Sequence, residues 1–347
     1  MSERRLYLDE GLGETRGVVT LDGRPERLMI ARDGDLAIQG AGARAVARVR
    51  RVERAQALAF LDLGQGPDAV LNLGPETGPL VEGQALEVEI RAEARHGKGA
   101  SARLAGLAEG PPRLLETPPT LEQRLRVCAP GADVRIGAVA RSMADGAQDE
   151  ALQTLFPLPG GGLLSVEPTR ALVAVDVDLA AHPGGEAKRT ARTANFAAIG
   201  AAARILRLKG LGGLVVIDLV GRGHDAPALV SAARIAFAPD NPGVALGPVS
   251  RFGTLELTVP RRVRPTLDIL LDESGVPSVL TTALAVIRAL EREALADGGG
   301  RFEALAAPDV AEAAGPALTA LTARLGGRLL VRGDPGRARA QFEIARL

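Results

Sequence analysis

The chain has 347 residues, 46% apolar and 24% charged, which supports buried cores in two or three units of ordinary size and excludes wholesale disorder. Its 42 Lys and Arg balance 42 Asp and Glu, so no global basicity advertises a polyanionic partner and any nucleic-acid site has to be a local patch. One cysteine, Cys128, excludes an internal disulfide and a Cys-rich zinc site, and three histidines far apart in sequence argue against a His-based metal cage.

No apolar stretch follows Glu3-Arg4-Arg5, and no run of about 18 apolar residues occurs, so a cytoplasmic protein without a membrane span is expected. Residues 1–39 alternate short strand-like runs with turns such as Asp22-Gly23 and Asp33-Gly34, the grammar of hairpins. From 40 to 110 five short strands with polar turns suit a small closed barrel of OB type. Residues 111–154, rich in proline and with one helical candidate at Leu121 to Val127, read as a linker. The pattern then changes to strand, long amphipathic helix (Glu186 to Leu208) and strand, a βαβ signal that makes residues 155–271 an α/β unit. Residues 272–347 repeat the mixed pattern on a smaller scale: helix from Ser278 to Ala296, strand, helix from Pro316 to Leu325, and two further strands.

Three carboxylates carry the chemistry. Asp176 and Asp178 end an apolar strand, Ala171-Leu-Val-Ala-Val-Asp176-Val-Asp178, and the two-residue period points both the same way. Asp218 ends a second apolar strand, Leu214-Val-Val-Ile-Asp218, and ligands of open α/β sheets bind at strand carboxyl ends. A hard divalent cation held by one or two carboxylates, water and phosphate oxygens is one way to neutralise such a group, and it could activate water against a phosphodiester. The plainer alternative is that these residues cap turns or pair with arginines.

The run Glu167-Pro-Thr-Arg-Ala-Leu-Val-Ala-Val-Asp176-Val-Asp178 closely resembles the catalytic-strand motif of the ribonuclease E/G family of bacterial endoribonucleases. Further matching blocks follow in the family's order: Thr190-Ala191, Asn195, Ala203-Arg204, Leu206-Arg207-Leu208, Leu211 to Asp218, Val249 to Leu257, and Arg262-Val-Arg-Pro265. The resemblance implies an α/β (α+β multidomain) protein. Its parts would be a deoxyribonuclease-I-like/RNase H-like catalytic core, an inserted OB-fold β-barrel and a small C-terminal α/β domain. It implies that Asp176 and Asp218 hold a catalytic Mg²⁺, with Mn²⁺ as a substitute, and that single-stranded RNA is cut by metal-activated water. Asp178 would assist as a further ligand or by orienting water. RNA-binding roles carry over to Phe60 and Lys98 of the barrel, to Arg141 and Ser142 as a remnant of a 5′-monophosphate sensor, and to Arg251 and Phe252. There Arg251 would clamp the RNA backbone while Phe252 packs the turn.

The chain departs from the family at four points. Asp178 stands where the family has Asn, and a carboxylate cannot donate to a phosphate as an amide can. The Cys-Pro-x-Cys zinc link expected after Pro265 is missing, so no zinc is expected. A homodimer through the C-terminal domain would have to rest on an apolar stripe such as Leu280, Leu284, Ile287 and Leu290, for which core packing is the alternative. Pro157 follows Ser142 closely, so most of the sensor and RNase H-like segment is absent. With 7 Phe, 1 Tyr and no Trp, base stacking is thin, and Arg44, Arg48, Arg50, Arg51 and Arg54 form a candidate phosphate stripe. These departures leave open a catalytically weakened RNA-binding protein on the same scaffold.

Overall fold

The computed structural model describes residues 3–95, 98–159, 161–179 and 187–347. His96 and Gly97, beside Lys98, and Glu186, the expected start of the long helix, lie outside the described residues.

Strands β1 (Arg4–Glu10), β2 (Glu14–Leu21) and β3 (Arg24–Arg32) form an antiparallel meander. Asp22 and Gly23 both carry positive φ, 50° and 80°, which is the geometry a tight two-residue hairpin demands and the reason glycine is needed there. The next six strands are β4 (Arg44–Glu53), β5 (Leu58–Asp62), β6 (Ala69–Asn72), β7 (Ala85–Ala92), β8 (Ser101–Leu107) and β9 (Arg113–Glu116). The first five close into a ring in the order β4, β5, β6, β8, β7 and back to β4, with β6 and β8 parallel, so no strand edge of the ring is left open. Alternate side chains fill it, among them Ala45, Ala47, Val49, Leu61, Leu71, Leu86, Val88 and Ile90. The chain enters and leaves the barrel at one place, where a Cβ on Gly40 or Gly42 would stand 2.8 or 2.7 Å from Pro118 or Pro119.

Residues 111–154 are structured rather than a linker. Thr120 caps α1 (Leu121–Cys128) in a reciprocal box with Gln123. Strand β10 (Val134–Arg135) then pairs in parallel with β1. Helix α2 (Ala138–Leu152) was not legible as a helix from the proline-rich run before it. Its Ala140, Ala144, Ala147 and Ala151 are fully buried, and so small a stripe lets it sit close against a sheet.

The six-stranded sheet is built from β11 (Leu155–Pro157), β12 (Leu163–Pro168), β13 (Val173–Asp178), β14 (Gly213–Asp218), β15 (Ala245–Val249) and β16 (Thr254–Val259) in the order β11-β12-β13-β14-β16-β15. Helix α3 (Ala187–Leu208) carries the chain from β13 to its parallel neighbour β14, and α4 (Ala226–Ala236) precedes β15. Short α5 (Thr266–Leu270) leads to α6 (Val279–Ala296), β17 (Phe302–Ala306), α7 (Pro308–Leu325), β18 (Leu329–Gly333) and β19 (Phe342–Arg346). Helix α7 begins two turns before Pro316, which sits inside it rather than starting it.

The layers run α1, four-stranded sheet, α2 with α3, six-stranded sheet. One core joins Tyr7, Val18 and Leu28 to α2, α3 and the inner face of the six-stranded sheet. The outer face of that sheet carries alternating exposed residues on β12, β13, β14 and β16. Among the described residues no helix is long and apolar enough to cross a membrane.

The expected dimer stripe is mostly core. Leu284, Ile287 and Leu290 are buried within this chain, Ile287 and Leu290 against β17 and α7, and of the four only Leu280 is exposed. The 3.6-residue period that suggested a partner helix is satisfied by the chain's own sheet.

Candidate active site

Strand alternation decides which side chains reach solvent. On β13, Val173, Val175 and Val177 face α3 while Ala174, Asp176 and Asp178 face outward, and on β14 Val215 and Ile217 go in and Asp218 goes out. Parallel pairing makes Asp176 and Asp218 direct ladder partners. The row continues to Ser165 on one side and Thr254 on the other, so two carboxylates sit side by side between two hydroxyls on an exposed face. Neighbouring strands lie about 4.8 Å apart. Among the described residues no arginine or lysine pairs with Asp176, Asp178 or Asp218. Like charges opposite one another cost the sheet about 0.2–1 kcal/mol, which a shared cation would relieve.

The loop after Asp218 is held by Asn195, a residue the sequence marked as matching but gave no role. Buried on α3, its amide donates to the Val220 carbonyl and accepts the Val220 N–H, each at 3.0 Å. Two other matching residues are fasteners. Arg204 bonds the Pro25 carbonyl at 2.7 Å and Glu150 at 2.7 Å, and Arg207 holds Glu26 and Asp240, tying α3 to the N-terminal sheet. Gly213 enters β14 with φ 96°, and a Cβ there would stand 2.2 Å from the Arg261 guanidinium.

On the turn between β15 and β16, Arg251 stacks on the Phe252 ring at 4.7 Å, and both are exposed. Phe252 is 77% exposed, so it does not pack the turn as expected; Ser250 does, through its hydroxyl contact to Thr254 at 2.7 Å and the bond it accepts from the Phe252 N–H. The turn thus offers, at the same sheet edge as Asp218, an aromatic face and a guanidinium with no ion pair among the described residues.

The family model described as "Ribonuclease E/G family" matches residues 121–262, which takes in the ladder pair, Asn195 and the Arg251 turn. Residues 121–262 belong to the ribonuclease E/G family. Ribonuclease E of Escherichia coli is 32% identical over 168 residues, 45% of this chain and 16% of that protein. Ribonuclease E of Haemophilus influenzae is 34% identical over 158 residues, covering 42% and 17%, and ribonuclease G of Salmonella typhimurium is 27% identical over 208 residues, covering 56% and 42%. The matched stretch spans less than half the length of each of these relatives.

Against the ribonuclease E/G pattern, two expected site residues are displaced. Asp178 shares the face of Asp176 but lies two residues, roughly 7 Å, further along the strand. It stands opposite Leu163 and beyond the end of β14. Among the described residues no three His, Cys, Asp or Glu side chains group closely enough to hold a metal ion.

Arg141 is not free to grip a terminal phosphate. Its guanidinium pairs with Asp9 at 3.4 Å and Glu291 at 2.9 Å, in a largely buried network with Arg16, Glu14, Asp145 and Arg288 that joins β1 and β2 to α2 and α6. Ser142, the next residue on α2, is exposed. The arginine serves the junction of the N-terminal sheet and the C-terminal helix.

On the barrel, Phe60 is half-buried under the Arg51 guanidinium, 4.6 Å from the ring centre, and Lys98 is exposed. The arginine stripe is largely spent. Arg44 pairs with Glu87 and Glu116, Arg50 with Asp62 and Asp68, and Arg51 with Glu53, while Arg48 bonds the Gly83 and Gly110 carbonyls. Arg264 is likewise engaged, by the Asp268 carbonyl at 2.9 Å and Asp35 at 3.8 Å, and Arg262 donates to the Pro242 carbonyl at 2.6 Å.

Proposed function

We propose that this chain is an endoribonuclease that cuts single-stranded RNA at the Asp176–Asp218 pair, in the cytoplasm. The observation that carries the reading is the ladder itself: two exposed carboxylates, adjacent across parallel strands at their carboxyl ends, with no cationic partner among the described residues. An all-oxygen, two-carboxylate set fits Mg²⁺ or Mn²⁺, which keep several waters and take further oxygens from substrate phosphate. When bound there, the ion would supply Lewis-acid activation of water and charge relief at the phosphodiester.

The chain's own residues set the rest. Asn195 fixes the loop that follows Asp218, so one carboxylate keeps its place relative to the other. Arg251 neutralises a phosphate of the incoming strand and Phe252 stacks a base beside it. Phe60 and Lys98 on the barrel extend the track away from the cut. The deoxyribonuclease-I-like character of the six-stranded unit, the RNA-binding role of the OB-type barrel and the separate standing of residues 272–347 as a domain belong to this same reading. The names of the relatives support it.

Incubating purified protein with labelled single-stranded RNA, with Mg²⁺ or with chelator, tests it. Asp176→Asn and Asp218→Asn should each abolish metal-dependent products while leaving RNA affinity within about twofold. RNA binding with no metal-dependent cutting would favour the second reading, a binding protein on the same scaffold, which the displaced Asp178 and the committed Arg141 support.

A further inference from the structure

A cavity of about 500 Å³ opens at the carboxyl edge of the six-stranded sheet, between the first turns of α3 and α4 and the loop that follows Asp218. Its wall begins at Val220, two residues beyond Asp218, and is completed by Phe196, Leu229 and Ala191. Three polar groups converge on it: His224, Arg222 and the Arg192–Asp225 pair at 3.1 Å. His224 Nε2 is buried and has no hydrogen-bond partner among the described residues. Its ring lies against Gly253, where a Cβ would stand 3.2 Å from Nε2, and Gly253 precedes Thr254, the ladder partner of Asp218. Nε2 thus faces the Gly253 turn, and it is the rest of the His224 ring that lines the cavity.

We propose that this cavity takes one nucleobase of the RNA strand next to the phosphate held at the acidic pair; the inference rests on the reading given under Proposed function and adds a base subsite to it. The volume lies in the range of small-ligand sites, which are mostly apolar with a few placed polar groups. The His224 and Phe196 rings offer flat walls against which a base can lie. Exposed Arg222, with no ion pair among the described residues, stands at the mouth where the ribose phosphate would emerge. A bare phosphate fits less well. The amino end of α4 is already occupied by the Asp225 carboxylate, which accepts the Ala228 N–H, and Arg192 is matched to that same carboxylate.

The chain has three histidines, so imidazole resonances are few and His224 is assigned by comparison with His224→Gln. In chelator, uridine or adenosine 5′-monophosphate should shift the His224 ring signals saturably, and ribose 5-phosphate should not. Ala191→Phe, which fills the cavity, should weaken nucleotide binding about tenfold or more; if that variant misfolds, Phe196→Leu supplies the second reduction. An equal shift with ribose 5-phosphate, or none with any nucleotide at millimolar concentration, overturns the base subsite. Magnesium-dependent RNA cutting by the same preparation is measured separately, so a failed cavity and a failed acidic pair give different results.

Discussion

The Asn195 side chain closes on both backbone groups of Val220, N–H and C=O, each at 3.0 Å. One buried amide on α3 thus holds the segment that leaves Asp218. Asn195→Ala removes both bonds and leaves two backbone groups to find new partners, a loss of about 2 kcal/mol of unfolding free energy. Urea unfolding measures that loss, and the RNA cutting rate should fall more than RNA affinity does. Unchanged cutting in a destabilised variant would mean the loop does not position Asp218.

Phe252 and Arg251 are expected to matter for binding and not for stability. Losing one base-stacking ring costs about 1–2 kcal/mol, so Phe252→Ala should weaken single-stranded RNA binding about 5- to 30-fold. Because both side chains are exposed, the melting temperature should stay close to that of the parent. Fluorescence anisotropy with a short labelled RNA, beside a thermal melt, reads both.

Arg141→Ala separates a sensor from a fastener. Removing one cation from the network takes one partner each from Asp9 and Glu291, which keep Arg16 and Arg324, at a cost of about 1–2 kcal/mol. The ratio of cutting rates on 5′-monophosphorylated and 5′-hydroxyl RNA should not change. A collapsed ratio with unchanged stability would restore the sensor role.

Lys209 introduces a pH dependence remote from the acidic pair. Fully buried, with its ammonium on the Gln153 carbonyl and the Phe156 ring at 5.4 Å, it is pushed by desolvation down to about 8 from an ordinary 10.5. Below pH about 8 the folded protein bears the whole penalty, about 3 kcal/mol. Between about 8 and 10.5 the unfolded chain binds more protons than the folded one, so this group makes stability rise with pH across that window. Lys209→Met should flatten that rise in urea-unfolding series; an identical slope in both proteins would show that the lysine does not titrate there.

The elements that could be read from the chain were those whose signal is local. The β13–α3–β14 unit announced itself through very apolar strands ending in Asp176 and Asp218, and the Asp22-Gly23 hairpin through a turn that only certain residues tolerate. What escaped depended on distant partners. Nothing near Val134 says that it will lie parallel to Leu6, and the small residues of α2 resemble a linker until a sheet is placed against Ala140 and Ala147. The same holds for charge. Arg141 and the barrel arginines looked available because their acids, Glu291, Glu87 and Glu116 among them, are far away in sequence and adjacent only once folded. His224 sat in no matching block, and only the cavity around it distinguishes it from a surface histidine.

Sequence order and mechanical dependence diverge in this chain. Because Gly40 and Gly42 meet Pro118 and Pro119, the barrel is joined to the layered body as a flower is to its stem, and a short splice across that junction would excise it whole. The first strands, although further from Asp176 in the sequence, cannot be shed so cleanly: they supply Glu26 and the Pro25 carbonyl on which Arg207 and Arg204 anchor α3. The amino terminus is thereby the keystone of a centre encoded well over a hundred residues downstream.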